Sequence, residues 1–148
     1  MSTFTFSAAA SIAAPAPKIY DLIADYRVGH PKIVPPQYFE GIEVEKGGFG
    51  AGTIIRVTMR VLGASRVFRA AVTEPKPGSV LTETDLGTGL ATTFTVTPNG
   101  TATDVNITTV APRRPGLRGA IEVWLVRRML QRVYRDELAL LAKVATTE

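Results

Sequence analysis

The stretch Ala91-Thr92-Thr93-Phe94-Thr95-Val96-Thr97-Pro98-Asn99-Gly100-Thr101-Ala102-Thr103-Asp104-Val105-Asn106-Ile107 decides the fold. Two runs of period-two alternation flank an Asn-Gly pair, the dipeptide that best tolerates the positive φ angles of a tight hairpin turn. Folded about Asn99-Gly100, Phe94 opposes Val105 and Thr92 opposes Ile107. Residues paired across a hairpin share a face. Thr92, Phe94, Val96, Val105 and Ile107 therefore point one way, and Thr93, Thr95, Asp104 and Asn106 the other.

The same reasoning extends towards the N-terminus. A turn at Gly63-Ala64 sets Met59 against Phe68 and Val57 against Ala70. A turn near Lys76-Pro77 carries Ala70 and Val72 to Thr82 and Thr84, and Gly87-Thr88-Gly89 carries these on to Thr92 and Phe94. One face then gathers Ile55, Val57, Met59, Phe68, Ala70, Val72, Thr82, Thr84, Phe94, Val96, Val105 and Ile107. The other gathers Arg56, Arg60, Arg69, Glu83, Asp85 and the polar residues of the first hairpin. Tyr38 to Ala111 thus reads as six strands joined by hairpins.

Outside this block, Thr3 to Ala13 alternates as a half-buried strand. Pro15 and Pro17 stop it, and Pro17 suits the first turn of a helix through Ile19, Tyr20, Leu22 and Ile23. His30 to Pro36 is a proline-bounded helical turn and bend. Residues 117–145 form one long helix with an apolar stripe at Val123, Val126, Leu130, Val133/Tyr134, Leu138, Leu141 and Ala145. The order β-α-α-β6-α predicts an α+β domain spanning residues 1–148, a curved antiparallel sheet wrapped around the C-terminal helix.

Composition excludes several classes of function. Hydrophobic residues make up 45% and charged residues 20%, which sets aside a disordered chain. With no cysteine and one histidine, His30, a disulfide scaffold, a thiolate metal site and any site needing two imidazoles are all ruled out. The net charge of +4 sits wholly in the last quarter of the chain. There Arg113, Arg114, Arg118, Arg127, Arg128, Arg132, Arg135 and Lys143 outnumber the acids, whereas residues 1–111 balance. This basic excess reads mainly as the solvated face of the last helix, suited at most to weak contact with an anionic membrane surface. No nucleic-acid partner is expected. No stretch has the 18–20 or so apolar residues of a membrane span, and a cytoplasmic monomer or homodimer is the default expectation.

At this point the chain resembles a known group, the START-like (SRPBCC) superfamily of helix-grip proteins, in its polyketide cyclase/dehydrase and lipid-transport branch. The resemblance covers essentially the whole chain. It is carried by Ile12 to Pro17, His30-Pro31…Val34-Pro35-Pro36 and Gly47-Gly48-Phe49-Gly50-Ala51-Gly52-Thr53. It continues through Val72-Thr73-Glu74-Pro75…Pro77-Gly78, Val80 to Asp85, Thr92 to Val96 and Tyr134-Arg135-Asp136-Glu137-Leu138. It implies a cavity between sheet and helix, entered past His30, Tyr38 and the 47–52 loop, the latter resembling a gating loop. A phosphate-loop reading of 47–52 fails because a strand, Thr53 to Val57, follows it instead of a helix.

The expected ligand is a hydrophobic small molecule, lipid- or polyketide-like, with no cofactor and no metal. The expected contacts are Tyr38, Ile55, Val57, Met59, Phe68, Thr82, Thr84, Phe94, Val105 and Ile107 from the sheet side. Trp124, Leu130 and Tyr134 would contribute from the helix. The face so assigned carries threonines (Thr82, Thr84, Thr92, Thr103) but no carboxylate or lysine, which suits binding better than catalysis. Glu83 and Asp85 are expected on the outer surface, with Arg69 opposite Asp85. The alternative is a polyketide cyclase or dehydratase in which His30 is the catalytic acid/base.

Overall fold

The computed structural model describes residues 2–147. Its elements run β1 (Thr3–Ile12), α1 (Ala16–Ala24), α2 (Gly29–Ile33), β2 (Phe39–Lys46), β3 (Ile54–Val61) and β4 (Ala64–Lys76). They continue with β5 (Val80–Asp85), β6 (Ala91–Asn99), β7 (Ala102–Pro112) and α3 (Gly116–Thr147). The strands form one antiparallel sheet in the order β1-β7-β6-β5-β4-β3-β2, so β1 crosses to pair with β7 and every other neighbour is a hairpin. Helix α3 packs against β1, α1 and α2. Phe94, Val105, Ile107, Val133, Leu138 and Leu141 meet in the core between helix and sheet. This is the helix-grip arrangement expected from the sequence.

The hairpins turn one residue away from their expected places. The β3–β4 turn is Leu62-Gly63, both at positive φ, so Met59 pairs with Arg66 and Val57 with Phe68. The β6–β7 hairpin pairs Asn99 with Ala102, which sets Phe94 against Ile107 and Val96 against Val105. Each shift moves the pairing by two residues, so the faces survive.

Strand β5 differs. A register break between Thr73 and Lys76 pairs Val72 with Glu83 and Ala70 with Asp85. Across the next turn Glu83 opposes Thr92 and Leu81 opposes Phe94. Two odd shifts cancel either side of β5, so this strand alone is inverted relative to expectation. Leu81, Glu83 and Asp85 point inward; Thr82 and Thr84 point outward, where Thr82 and Thr93 join hydroxyls at 2.9 Å. Arg69, expected opposite Asp85, binds Glu45 instead at 2.7 Å. Asp85 accepts from the backbone N–H and hydroxyl of Thr88.

The glycine run is a packing device. The Tyr26 N–H donates to the Gly48 carbonyl and the Gly50 N–H to Ala24. Glu74 accepts from the Ala51 N–H at 2.7 Å and from the Tyr20 hydroxyl at 2.6 Å. A Cβ at Gly48 would run into Arg27 and one at Gly50 into the Glu74 carboxylate. The 47–52 loop thus clasps the end of α1, and none of its residues lines the cavity.

Candidate functional site: a cavity with an acidic end

A cavity of about 260 Å³ lies between the concave sheet face and α3. Most of its wall is apolar: Ile55, Val57 and Met59 from β3, Phe68 and Ala70 from β4, Phe94 from β6, and Val126, Met129, Leu130 and Val133 from α3. Titratable groups enter from three directions. His30 comes from α2, Glu83 and Asp85 from β5, and Tyr134 and Glu137 from α3.

His30 is 3% exposed and fixed on every side. Its Nδ1 lies 2.7 Å from the Ile23 carbonyl. A carbonyl can only accept, so Nδ1 carries a proton and Nε2 is the variable nitrogen. Nε2 faces Glu83 Oε2 at 3.6 Å. The Tyr26 ring stacks on the imidazole at 4.5 Å and Phe94 meets it edge-on at 5.8 Å. The Tyr26 hydroxyl donates to the same Glu83 Oε2 at 2.5 Å. Burial, then the Glu83 charge, push the Tyr26 hydroxyl well above its ordinary range, so it remains a donor.

Glu137 is 4% exposed and accepts no hydrogen bond from any described residue. Burial pushes its carboxyl well above the usual carboxylate range, and the nearby Glu83 charge adds to the push. One helical turn away, the Tyr134 hydroxyl bonds the Thr109 hydroxyl, which in turn meets Thr92 Oγ1 at 2.9 Å. Burial raises Tyr134 to about 12. Among the described residues no group of His, Asp and Glu could hold a metal ion.

Of the residues expected to contact a ligand, the cavity brings together His30, Ile55, Val57, Met59, Phe68, Phe94, Leu130 and Tyr134. Val105 and Ile107 lie on the correct face but are buried in the core, outside the lining. Thr82 and Thr84 are turned away by the β5 inversion. Thr103, on the concave face, is buried and donates to the Ala14 carbonyl instead of facing the cavity. Tyr38 lies outside the lining and bonds Asp136 at 3.3 Å. Trp124 is 57% exposed, with the Arg128 guanidinium 5.1 Å over its ring. At 100° per residue it sits about 200° around the helix from the cavity-lining Val126. The expectation of an acid-free concave face is likewise overturned, because β5 brings Glu83 and Asp85 inside.

Glu83, Asp85, Glu137 and Tyr26 were not expected at the site. Only Glu137 carried a readable signal. It lies three residues after Tyr134 and four before Leu141, on the apolar stripe, where a carboxylate is out of place.

Comparison with known proteins agrees with this geometry. The KanY protein, solved in solution by NMR, is 26% identical, covers 99% of each chain and superposes with a TM-score of 0.85. A START superfamily protein from Mycobacterium smegmatis is 17% identical over 96% of this chain and 97% of its own, with a TM-score of 0.76. The Zhui aromatase/cyclase from Streptomyces sp. R1128 is 17% identical over 98% of this chain and 94% of its own, with a TM-score of 0.80. A search of the curated proteins returns no match. The family model "Polyketide cyclase / dehydrase and lipid transport" matches residues 3–146. The cavity, the gripping helix and this match agree: the chain belongs to the polyketide cyclase/dehydrase and lipid-transport family of START-like proteins.

Proposed function

We propose that the protein binds one compact, largely apolar small molecule in the cavity between sheet and α3. The observation that carries this is a mainly apolar wall that brings His30, Glu83 and Glu137 into the same cavity. A volume of about 260 Å³ suits a compact ring system. Burying about 200 Å² of ligand apolar surface would contribute about 5 kcal/mol before the cost of association. Organic extraction of the purified protein, followed by mass spectrometry, should release such a molecule. Emptied protein should take up 1-methylnaphthalene with a rise in Tm. Protein that yields no ligand and takes up no probe would refute the proposal.

The His30–Glu83 contact inside the cavity favours a second reading, acid/base catalysis of the cyclase or dehydratase type. Two solved relatives are described as aromatase/cyclases, Zhui and the di-domain BexL. In this reading His30 Nε2 exchanges a proton with the substrate while the Ile23 carbonyl, bound at Nδ1, and the stacked Tyr26 ring hold the imidazole. Turnover of a poly-β-keto surrogate unaffected by His30→Ala would remove His30 as the catalyst.

The outer side of α3 suits a membrane contact. Leu117, Ile121 and Trp124 are exposed in a row, with the Arg128 guanidinium over the Trp124 ring and Arg114 and Arg118 paired with Glu122. That chemistry fits an anionic lipid surface.

A further inference from the structure

We infer that the cavity's ligand carries a basic nitrogen, bound as an ammonium against Glu83 and Glu137. The inference rests on the binding function proposed above and names the class of molecule. Three carboxyl groups, Glu83, Asp85 and Glu137, line the cavity, and no lysine or arginine does. His30 is the only basic side chain among the lining residues.

The hydrogen bonds at the acidic end are unevenly distributed. Glu83 Oε2 already receives the Tyr26 hydroxyl and faces His30 Nε2. Tyr134 is occupied by Thr109. What remains is the Glu137 carboxyl, 4% exposed, facing the cavity and without a donor among the described residues. Among the described residues no sealed side-chain oxygen lacks a partner, so the Glu137 carboxyl reaches the cavity space, where a ligand can supply the donor. With Glu137 ionised, this end of the cavity offers acceptors and negative charge, and what complements it is a donor that carries positive charge. A fatty acid or aromatic acid would bring a further carboxylate to this end, with no lysine or arginine to receive it. A cation placed here would offset both causes that push Glu137 upward, its burial without a partner and the Glu83 charge. The apolar wall at Val57, Met59, Phe68 and Phe94 takes the rest of the molecule.

A matched set of two-ring probes tests this by isothermal titration calorimetry near neutral pH: 1-naphthylmethylamine, 1-methylnaphthalene, 1-acetonaphthone and 1-naphthoate. The amine should bind about ten-fold or more tighter than the hydrocarbon, as a charge-assisted hydrogen bond allows. The acid should bind more weakly than the hydrocarbon. Glu137→Gln should remove most of the amine's advantage over 1-methylnaphthalene, read as the ratio of the two affinities in the same variant. Glu83→Gln provides a second variant with the same expected direction.

An amine no tighter than the hydrocarbon, or a ketone or acid tighter than the amine, overturns the inference and leaves the binding function intact. So does an amine preference that survives both variants. Failure of all four probes, hydrocarbon included, overturns the binding function with it.

Discussion

Replacing Glu137 by Gln removes an ionisable group that is buried, lines the cavity and has no donor among the described residues. The consequence for stability has a definite sign. In the folded protein the carboxyl is held well above its ordinary value of 4.5, first by burial and then by the Glu83 charge. Between 4.5 and that raised value the native state keeps a proton that the unfolded chain releases. Stability therefore falls as pH rises through this window, by about 1.4 kcal/mol per pH unit. Below the window both states hold the proton and the contribution is fully retained. Gln carries no such proton. The stability of Glu137→Gln relative to the wild type should therefore climb with pH at up to about 1.4 kcal/mol per unit, starting from about pH 4. Urea denaturation of both proteins at intervals from about pH 4 to pH 7 measures this directly, because every other titrating group is common to the pair. Glu83→Gln should narrow the window, since it removes the second cause of the upward shift. Parallel pH profiles for wild type and Glu137→Gln would refute the reasoning, because they would mean that the buried carboxyl has an unseen donor or ready access to water.

Three further outcomes follow from the geometry. Val57→Phe places an aromatic ring in the cavity, so affinity for 1-methylnaphthalene should drop about ten-fold or more while the protein stays folded by circular dichroism. Leu81→Ala should cost about 2–5 kcal/mol in urea denaturation, because Leu81 is fully buried on the inverted β5. Thr82→Val, on the opposite face, should change stability by less than about 1 kcal/mol. Trp124→Ala should leave stability within about 0.5 kcal/mol but reduce co-sedimentation with anionic phosphatidylglycerol vesicles, and added salt should weaken what remains.

The fold was legible because hairpin parity is robust. Moving a turn by one residue shifts the pairing by two, so Val57, Phe68 and Phe94 stay inside whichever of the neighbouring turn positions is chosen. The site was less legible because β5 is bounded by two connections that each break this parity. A register break at Thr73–Lys76 cannot be seen in an alternating pattern, and Val80 to Asp85 alternates equally well in either sense. That single inversion exchanged Thr82 and Thr84 for Glu83 and Asp85 and reversed the chemistry assigned to the cavity. Trp124 was misplaced for a different reason. A helix of 32 residues is about 48 Å long, and its buried residues lie mainly in its C-terminal half. Within its first four turns only Gly119 is buried, so the aromatic there faces outward. Glu137 was missed although its place on the apolar stripe was readable, because the stripe was traced through apolar residues alone.

The pairing of β1 with β7 also governs the order in which this molecule can assemble. Strands β2 to β7 are consecutive hairpins, whose ends close over short loops. Ser7 and Thr108 are separated by 101 residues, so β1 must search across nearly the whole chain before it docks. Only then does α3, which packs on β1, have its full seat. A chain emerging from the ribosome thus holds Leu81, Phe94 and Ile107 open to water until its last residues are available. Pulse-labelling hydrogen exchange should find the amides of β3 to β6 protected before those of β1. In that interval the surface that later forms the cavity is a target for chaperones and for aggregation.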